Sequence, residues 1–173
     1  MGKQNVRNIL FGAFVLVLAG GGPALGAEPM THVNTYGDWS LLTDANDPHL
    51  FCFITSRPKT SEPSDAPREA PHAYISAWPK DGIRAEVSFL MGFRIKKNMQ
   101  GTATVSPSGF KLFGASDRAY VTDSTQELKL VEAMRKGNSL SIAIASDRGV
   151  NVVDTYSLNG IGQALQKLQE TCF

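Results

Sequence analysis

The chain has no long hydrophobic run, no excess of charge of either sign, and only two cysteines and two tryptophans among its 173 residues. Each shortage excludes something. A helix needs about 20 consecutive apolar residues to cross a bilayer, and the run Ile9 to Ala19 stops at eleven. Lysine and arginine number 17 against 16 aspartates and glutamates. There is thus no basic surplus of the kind that coats nucleic acid or anionic lipid. The two cysteines form no CxxC motif and have no nearby histidine pair, which favours a structural bridge over a metal site or a redox motif. No GxSxG, HExxH, P-loop or EF-hand pattern occurs in the chain. Sixteen glycines and nine prolines are too many for a helical bundle and ordinary for a β-rich domain.

What is present begins at the N-terminus. Lys3 and Arg7 precede the apolar run, which is closed by Gly20, Gly21, Gly22 and Pro23. That is the layout of a signal peptide. Ala24 and Gly26 place small residues at −3 and −1 for cleavage after Gly26; cleavage after Ala27 would put Leu25 at −3. An uncleaved N-terminal anchor is the alternative. Residues 1–26 are therefore predicted to be a signal peptide and 27–173 a single domain, periplasmic or secreted, with no stable membrane insertion after cleavage. Loss of Lys3 and Arg7 leaves 15 basic residues against 16 acidic ones, a net charge of −1.

Cys52 and Cys172 both lie beyond the cut and enter an oxidising compartment, where a disulfide persists. One structural bridge between them is expected, closing a loop of about 120 residues and contributing roughly 4–5 kcal/mol in the chain-entropy account. Two separate buried thiols are the other possibility.

The pattern of the mature chain is mainly strand. Tyr36–Leu42 and His49–Ser56 flank a turn cluster and read as a hairpin. His72–Trp78 follows. In Ile83–Phe89 the odd positions are apolar and the even ones polar, the period of a half-buried strand. Thr102–Val105 and Phe110–Phe113 flank Ser106-Pro107-Ser108-Gly109. Leu140–Ile144 and Val150–Tyr156 flank Asp147-Arg148-Gly149. These eight strands predict an antiparallel β-sandwich of immunoglobulin-like architecture. Two short helices interrupt it. Ser124 and Glu127 form a capping box opening a helix that stops at Gly137, with Leu128, Val131 and Met134 as its apolar stripe. The last helix, from Gly160, puts Ile161, Ala164, Leu165 and Leu168 on one face. Cys172, eleven residues after Ile161, returns to that face with its sulfur inward.

Arg57 to Pro71 carries four of the nine prolines and no large apolar side chain. It is expected to be an exposed, partly extended loop, either a tolerated insertion or a binding loop. Ser56 and Lys59 match SxxK, but Pro58 opposes the helical turn such a pair requires. Gly160-Ile161-Gly162 lacks both a third glycine and a following strand. His32, His49 and His72 are scattered and read as solvent-facing. Arg94-Ile95-Lys96-Lys97 reads as a charged strand end. No catalytic residue, metal ligand or cofactor-binding residue is assigned, and enzyme activity is not expected.

Tyr36-Gly37-Asp38-Trp39, Cys52-Phe53, and Asp154 to Gly160 leading into an Ala164-Leu165 helix and Cys172 together resemble the invasion-associated locus B family of bacterial envelope proteins. Ile83 to Ser88 and Met134 to Gly137 add to the likeness, which spans Tyr36 to Cys172. The resemblance implies a secreted or periplasmic β-sandwich and brings no catalytic residue, cofactor or named partner. Many family members have a further cysteine shortly after the GDW motif; Leu41, Leu42 and Thr43 stand there in this chain, which leaves Cys52 for Cys172. Trp39 is expected to anchor the core, Asp38 to tie the strand entry to backbone amides, and Tyr156 to bring its hydroxyl to the rim. The expected function is that of a non-catalytic exported envelope protein binding an envelope or host protein. The alternative is a periplasmic carrier of a small apolar or glycan ligand held in the sandwich.

Overall fold

Eleven strands and two helices make up the computed structural model, which describes residues 29–65 and 67–173. The predicted signal peptide and its cleavage site lie outside the described residues. In chain order the strands are β1 (Met30–Tyr36), β2 (Trp39–Asp44), β3 (Cys52–Ser56), β4 (Thr60–Glu62), β5 (His72–Trp78), β6 (Ile83–Leu90), β7 (Gln100–Val105), β8 (Ser108–Ala115) and β9 (Arg118–Val121). Helix α1 (Ser124–Lys136), β10 (Ser139–Ala145), β11 (Asn151–Ser157) and helix α2 (Ile161–Cys172) complete the chain.

All strand pairs are antiparallel and join in one sheet of order β1-β2-β3-β5-β6-β9-β8-β7-β10-β11-β4. Only Arg57, Pro58 and Lys59 separate β3 from β4, yet β4 occupies the far edge of the sheet. The sheet must therefore fold over until its ends meet. Two bonds record the closure: Lys59 N–H donates to the Thr155 carbonyl at 2.7 Å, and the Trp39 indole N–H to the Ser157 carbonyl at 3.0 Å. The result is the sandwich-like, mainly antiparallel architecture expected from the sequence, built from one continuous sheet with its last helix at the C-terminus.

Between the two layers lie Trp39, Leu41, Ile54, Ile75, Phe89, Leu112, Leu140, Ile142 and Tyr156, all fully buried. Most are the in-phase residues of alternating strands, so one face of each strand makes the core. Helix α2 adds Ile161, Ala164, Leu165, Leu168 and Cys172, the face its spacing predicts.

Three strands escape the sequence pattern. β1 is exposed along almost its whole length and carries a register shift between His32 and Asn34, so it shows no alternation. β4 has three residues inside the proline-rich stretch, and β9 has four. The start of α1 also differs. Asp123, not Ser124, is the N-cap, its carboxylate accepting from Gln126 N–H at 2.9 Å. Glu127 leaves the expected capping box and instead accepts the Val87 N–H of β6 at 2.7 Å. That amide lies just beyond the stretch of β6 paired with β9, so Glu127 satisfies it. The buried stripe of α1 is Leu130, Val131 and Met134, and Leu128 is 64% exposed.

Candidate functional site

Among the residues that carry the family resemblance, Tyr36 to Asp38 and Asn159-Gly160 form a clasp. Gly37 and Asp38 make the two-residue turn between β1 and β2, with Tyr36 paired to Trp39. Gly37 has φ +57° and Gly160, ahead of α2, has φ +86°, conformations that glycine adopts without strain. The two turns press together. A side chain on Gly160 would collide with the Tyr36 carbonyl and the Gly37 nitrogen, and one on Gly37 with the Asn159 carbonyl. Asp38 N–H donates to the Asn159 carbonyl at 3.0 Å. The Asp38 carboxylate does not bind backbone amides as expected: hydrogen bonds from Lys59 and then Ser157 hold its pKa below the usual value. Trp39 is the buried anchor expected.

Cys52 on β3 and Cys172 in the last turn of α2 are both fully buried, with their sulfurs at a disulfide-bonding distance of 2.09 Å and Cα atoms 6.2 Å apart. His49 Nδ1 lies 2.9 Å from the Cys172 carbonyl, where an N–H donor satisfies one of the open carbonyls at the end of α2.

The proline-rich stretch is not a loose loop. Its β4 segment pairs with β11, and Arg68 reaches inward with a side chain only 6% exposed. The Arg68 guanidinium pairs with Asp154, itself fully buried, and also donates to the Met91 carbonyl at 3.1 Å. Ser61 Oγ donates to Asp154 at 2.7 Å. Tyr156, two residues along β11, is likewise fully buried, so its hydroxyl does not reach the rim. Burial, then the Asp154 charge, pushes the Tyr156 hydroxyl pKa far up, so it stays protonated.

The groups that hint at catalysis are otherwise engaged. Ser56 Oγ donates to the Arg57 carbonyl at 3.4 Å, while Lys59 pairs with Asp38. His72 is half-buried rather than solvent-facing. Its Nε2 accepts from Arg57 Nε at 3.1 Å and its Nδ1 faces the Ala70 carbonyl at 3.1 Å. This is a neutral imidazole, and burial lowers its pKa. His32 and His49 are exposed. Arg94 is exposed and the next residue, Ile95, is buried in a bridge to Ser146. Among the described residues no cluster of three His, Cys, Asp or Glu side chains could hold a metal, and no helix is long and apolar enough to cross a membrane.

One surface was not anticipated. The outward positions of β3, β5 and β9, polar in an ordinary half-wet antiparallel sheet, hold Phe53, Tyr74, Trp78 and Tyr120, and Phe51 precedes β3. Phe51 stacks on Trp78 at 4.1 Å between ring centroids, and Phe53 lies 5.4 Å from Phe51 and 5.6 Å from Tyr74. Arg118 extends over the Tyr74 ring at 5.0 Å. These side chains, with Ser76, Glu86 and Ser88, line an open groove of about 400 Å³. The signal was in the sequence: Phe51 and Phe53 share one phase of His49–Ser56, and Tyr74 and Trp78 share one phase of His72–Trp78, whose other phase is Ala73, Ile75 and Ala77. In the structure only one phase is covered.

The fold is similar to the crystal structure of invasion associated protein B from Bartonella henselae, with a TM-score of 0.54 and 19% sequence identity, covering 79% of this chain and 95% of that one. This likeness of fold agrees with the family resemblance drawn from the sequence. No protein-family model matches the chain, and no curated protein matches it.

Proposed function

We propose that this protein is an exported, non-catalytic interaction module of the bacterial envelope that meets an envelope or host component through its aromatic sheet face. The observation that carries the reading is that face: five half-buried aromatic side chains, contiguous and open to solvent, on the side of the sheet turned away from the core. Exposed apolar surface of this kind marks interaction sites. The signal-peptide pattern, the Cys52–Cys172 pair and the likeness of fold to an invasion associated protein support an exported setting. The engagement of Ser56, Lys59 and His72 with other partners supports a non-catalytic role. A carrier with its ligand inside the sandwich is disfavoured, because the fully buried side chains of Trp39, Phe89 and Tyr156 occupy that space.

A photo-crosslinking residue at position 53 tests this in the native host, with the same residue at Lys129, exposed on α1, as control. A discrete adduct from position 53 and none from 129 is expected. No adduct, or the same adducts from both positions, would reject the proposal.

A further inference from the structure

We infer that the aromatic groove is a binding site for a saccharide bearing a carboxylate, a conclusion that rests on the interaction face proposed above. The groove is not uniformly apolar. Register pairs place Phe53 opposite Ser76, and Tyr74 opposite Ser88, which is in turn opposite Tyr120. Ser76 and Ser88 are 7% and 4% exposed, so they form the floor while the rings form the walls. Tyr74 and Tyr120 stand two strand spacings apart, about 10 Å. Arg118 lies in that gap, over Ser88, so the open part of the groove is at Ser76 and Glu86, where Phe53, Tyr74 and Trp78 offer ring surface to the C–H faces of a sugar and Ser76 and Glu86 meet its hydroxyls.

The ends of the groove carry opposite charge. Arg118 lies over the Tyr74 ring and donates to Ser88 Oγ at 3.4 Å, and among the described residues it has no carboxylate partner. A guanidinium placed over an aromatic ring keeps N–H groups free to meet a carboxylate as a fork. Glu86, which pairs in register with Ser76, offers an acceptor for hydroxyl or acetamido N–H groups on the ligand. A protein partner fits less well, because protein–protein interface cores are depleted in serine and glutamate. Two serines and a glutamate among aromatic rings suit a polyhydroxyl ligand, and the free arginine supplies charge complementarity for an acidic one. The volume, about 400 Å³, lies within the range of small-molecule sites.

Isothermal titration of the mature protein with three probes tests the inference. These are the disaccharide of N-acetylglucosamine and N-acetylmuramic acid, a uronic acid trimer, and neutral diacetylchitobiose. At least one acidic probe is expected to bind about tenfold or more tighter than the neutral one. Arg118→Gln should abolish that preference, Arg118→Lys should weaken it, and Arg135→Gln on α1 should leave it intact. Binding of the muramic probe alone assigns the carboxylate to cell-wall glycan, and binding of the uronate alone assigns it to an acidic polysaccharide. Either result, or binding of both, supports the site. No binding of any probe, equal binding of neutral and acidic probes, or a preference that survives Arg118→Gln overturns it. If the sugars fail while position 53 still crosslinks to a protein, the saccharide inference falls and the interaction face stands. If both fail, the face itself is refuted.

Discussion

Arg68 and Asp154 form an ion pair in the interior, 86 residues apart in the chain and with almost no exposure on either side chain. The pair fastens the proline-rich strap to β11. Removing one partner from such a pair leaves a buried charge uncompensated. Arg68→Met should therefore cost about 3–5 kcal/mol in urea unfolding. The double variant Arg68→Met/Asp154→Leu removes the orphaned charge as well and should recover most of that loss. If the double variant is no more stable than the single one, the pair is not what holds the strap.

The turn clasp gives a graded series of glycine substitutions. Gly160→Ala combines a positive φ with a collision against the Tyr36 backbone and should cost more than about 2 kcal/mol. Gly82→Ala has φ +70° but open space around it, so only the backbone strain of about 1 kcal/mol applies. Gly162, inside α2, also has open space and no positive φ. Gly162→Ala should stabilise by roughly 0.5–1 kcal/mol. Thermal melts that rank the three in another order would contradict the clasp.

The parts of the fold that could be read from the sequence are those where one face is buried and the partner lies nearby. Val87 and Phe89 alternate with polar neighbours because β6 has a dry side, and Leu165 and Leu168 repeat with the helical period because α2 lies on the core. β1 gives no such signal, since water reaches both of its faces. Arg68 looks like one more polar residue of a proline-rich loop, because nothing local marks Asp154 as its partner. Glu127 matches a capping box three residues after Ser124, yet tertiary structure offers it the Val87 amide. The aromatic groove was hidden for a related reason. The sequence shows aromatic side chains on one phase of β3 and β5 but not whether that phase is covered, so nothing local marks Phe53 and Tyr74 as an open surface.

The Cys52–Cys172 pair should be visible by intact mass. Alkylation in denaturant without reduction should add no label, and alkylation in denaturant after reduction should add two. The link spans 120 residues, and a disulfide constrains the unfolded chain more as the loop it closes grows. The Cys52→Ala/Cys172→Ala variant should lose about 2–5 kcal/mol. Two thiols that alkylate freely in the unreduced protein would rule the bridge out.

Glu127 should make stability depend on pH. Burial, opposed by the Val87 N–H and reinforced by the charge of Glu86, raises its pKa above the ordinary 4.5. The folded state therefore holds the proton more tightly than the unfolded chain. Its stabilising contribution is complete below the unfolded value and is lost as the pH rises through the raised folded value. Glu127→Gln keeps a carbonyl to accept the Val87 amide and cannot ionise. The variant should match the native protein in acid, where Glu127 is protonated, gain on it as the pH rises from the unfolded value through the raised folded value, and keep a constant lead above it. Urea unfolding of both proteins across that range measures the difference. A constant offset between the two curves would show that Glu127 does not ionise at a cost, and a reversed trend would place its pKa below the ordinary value.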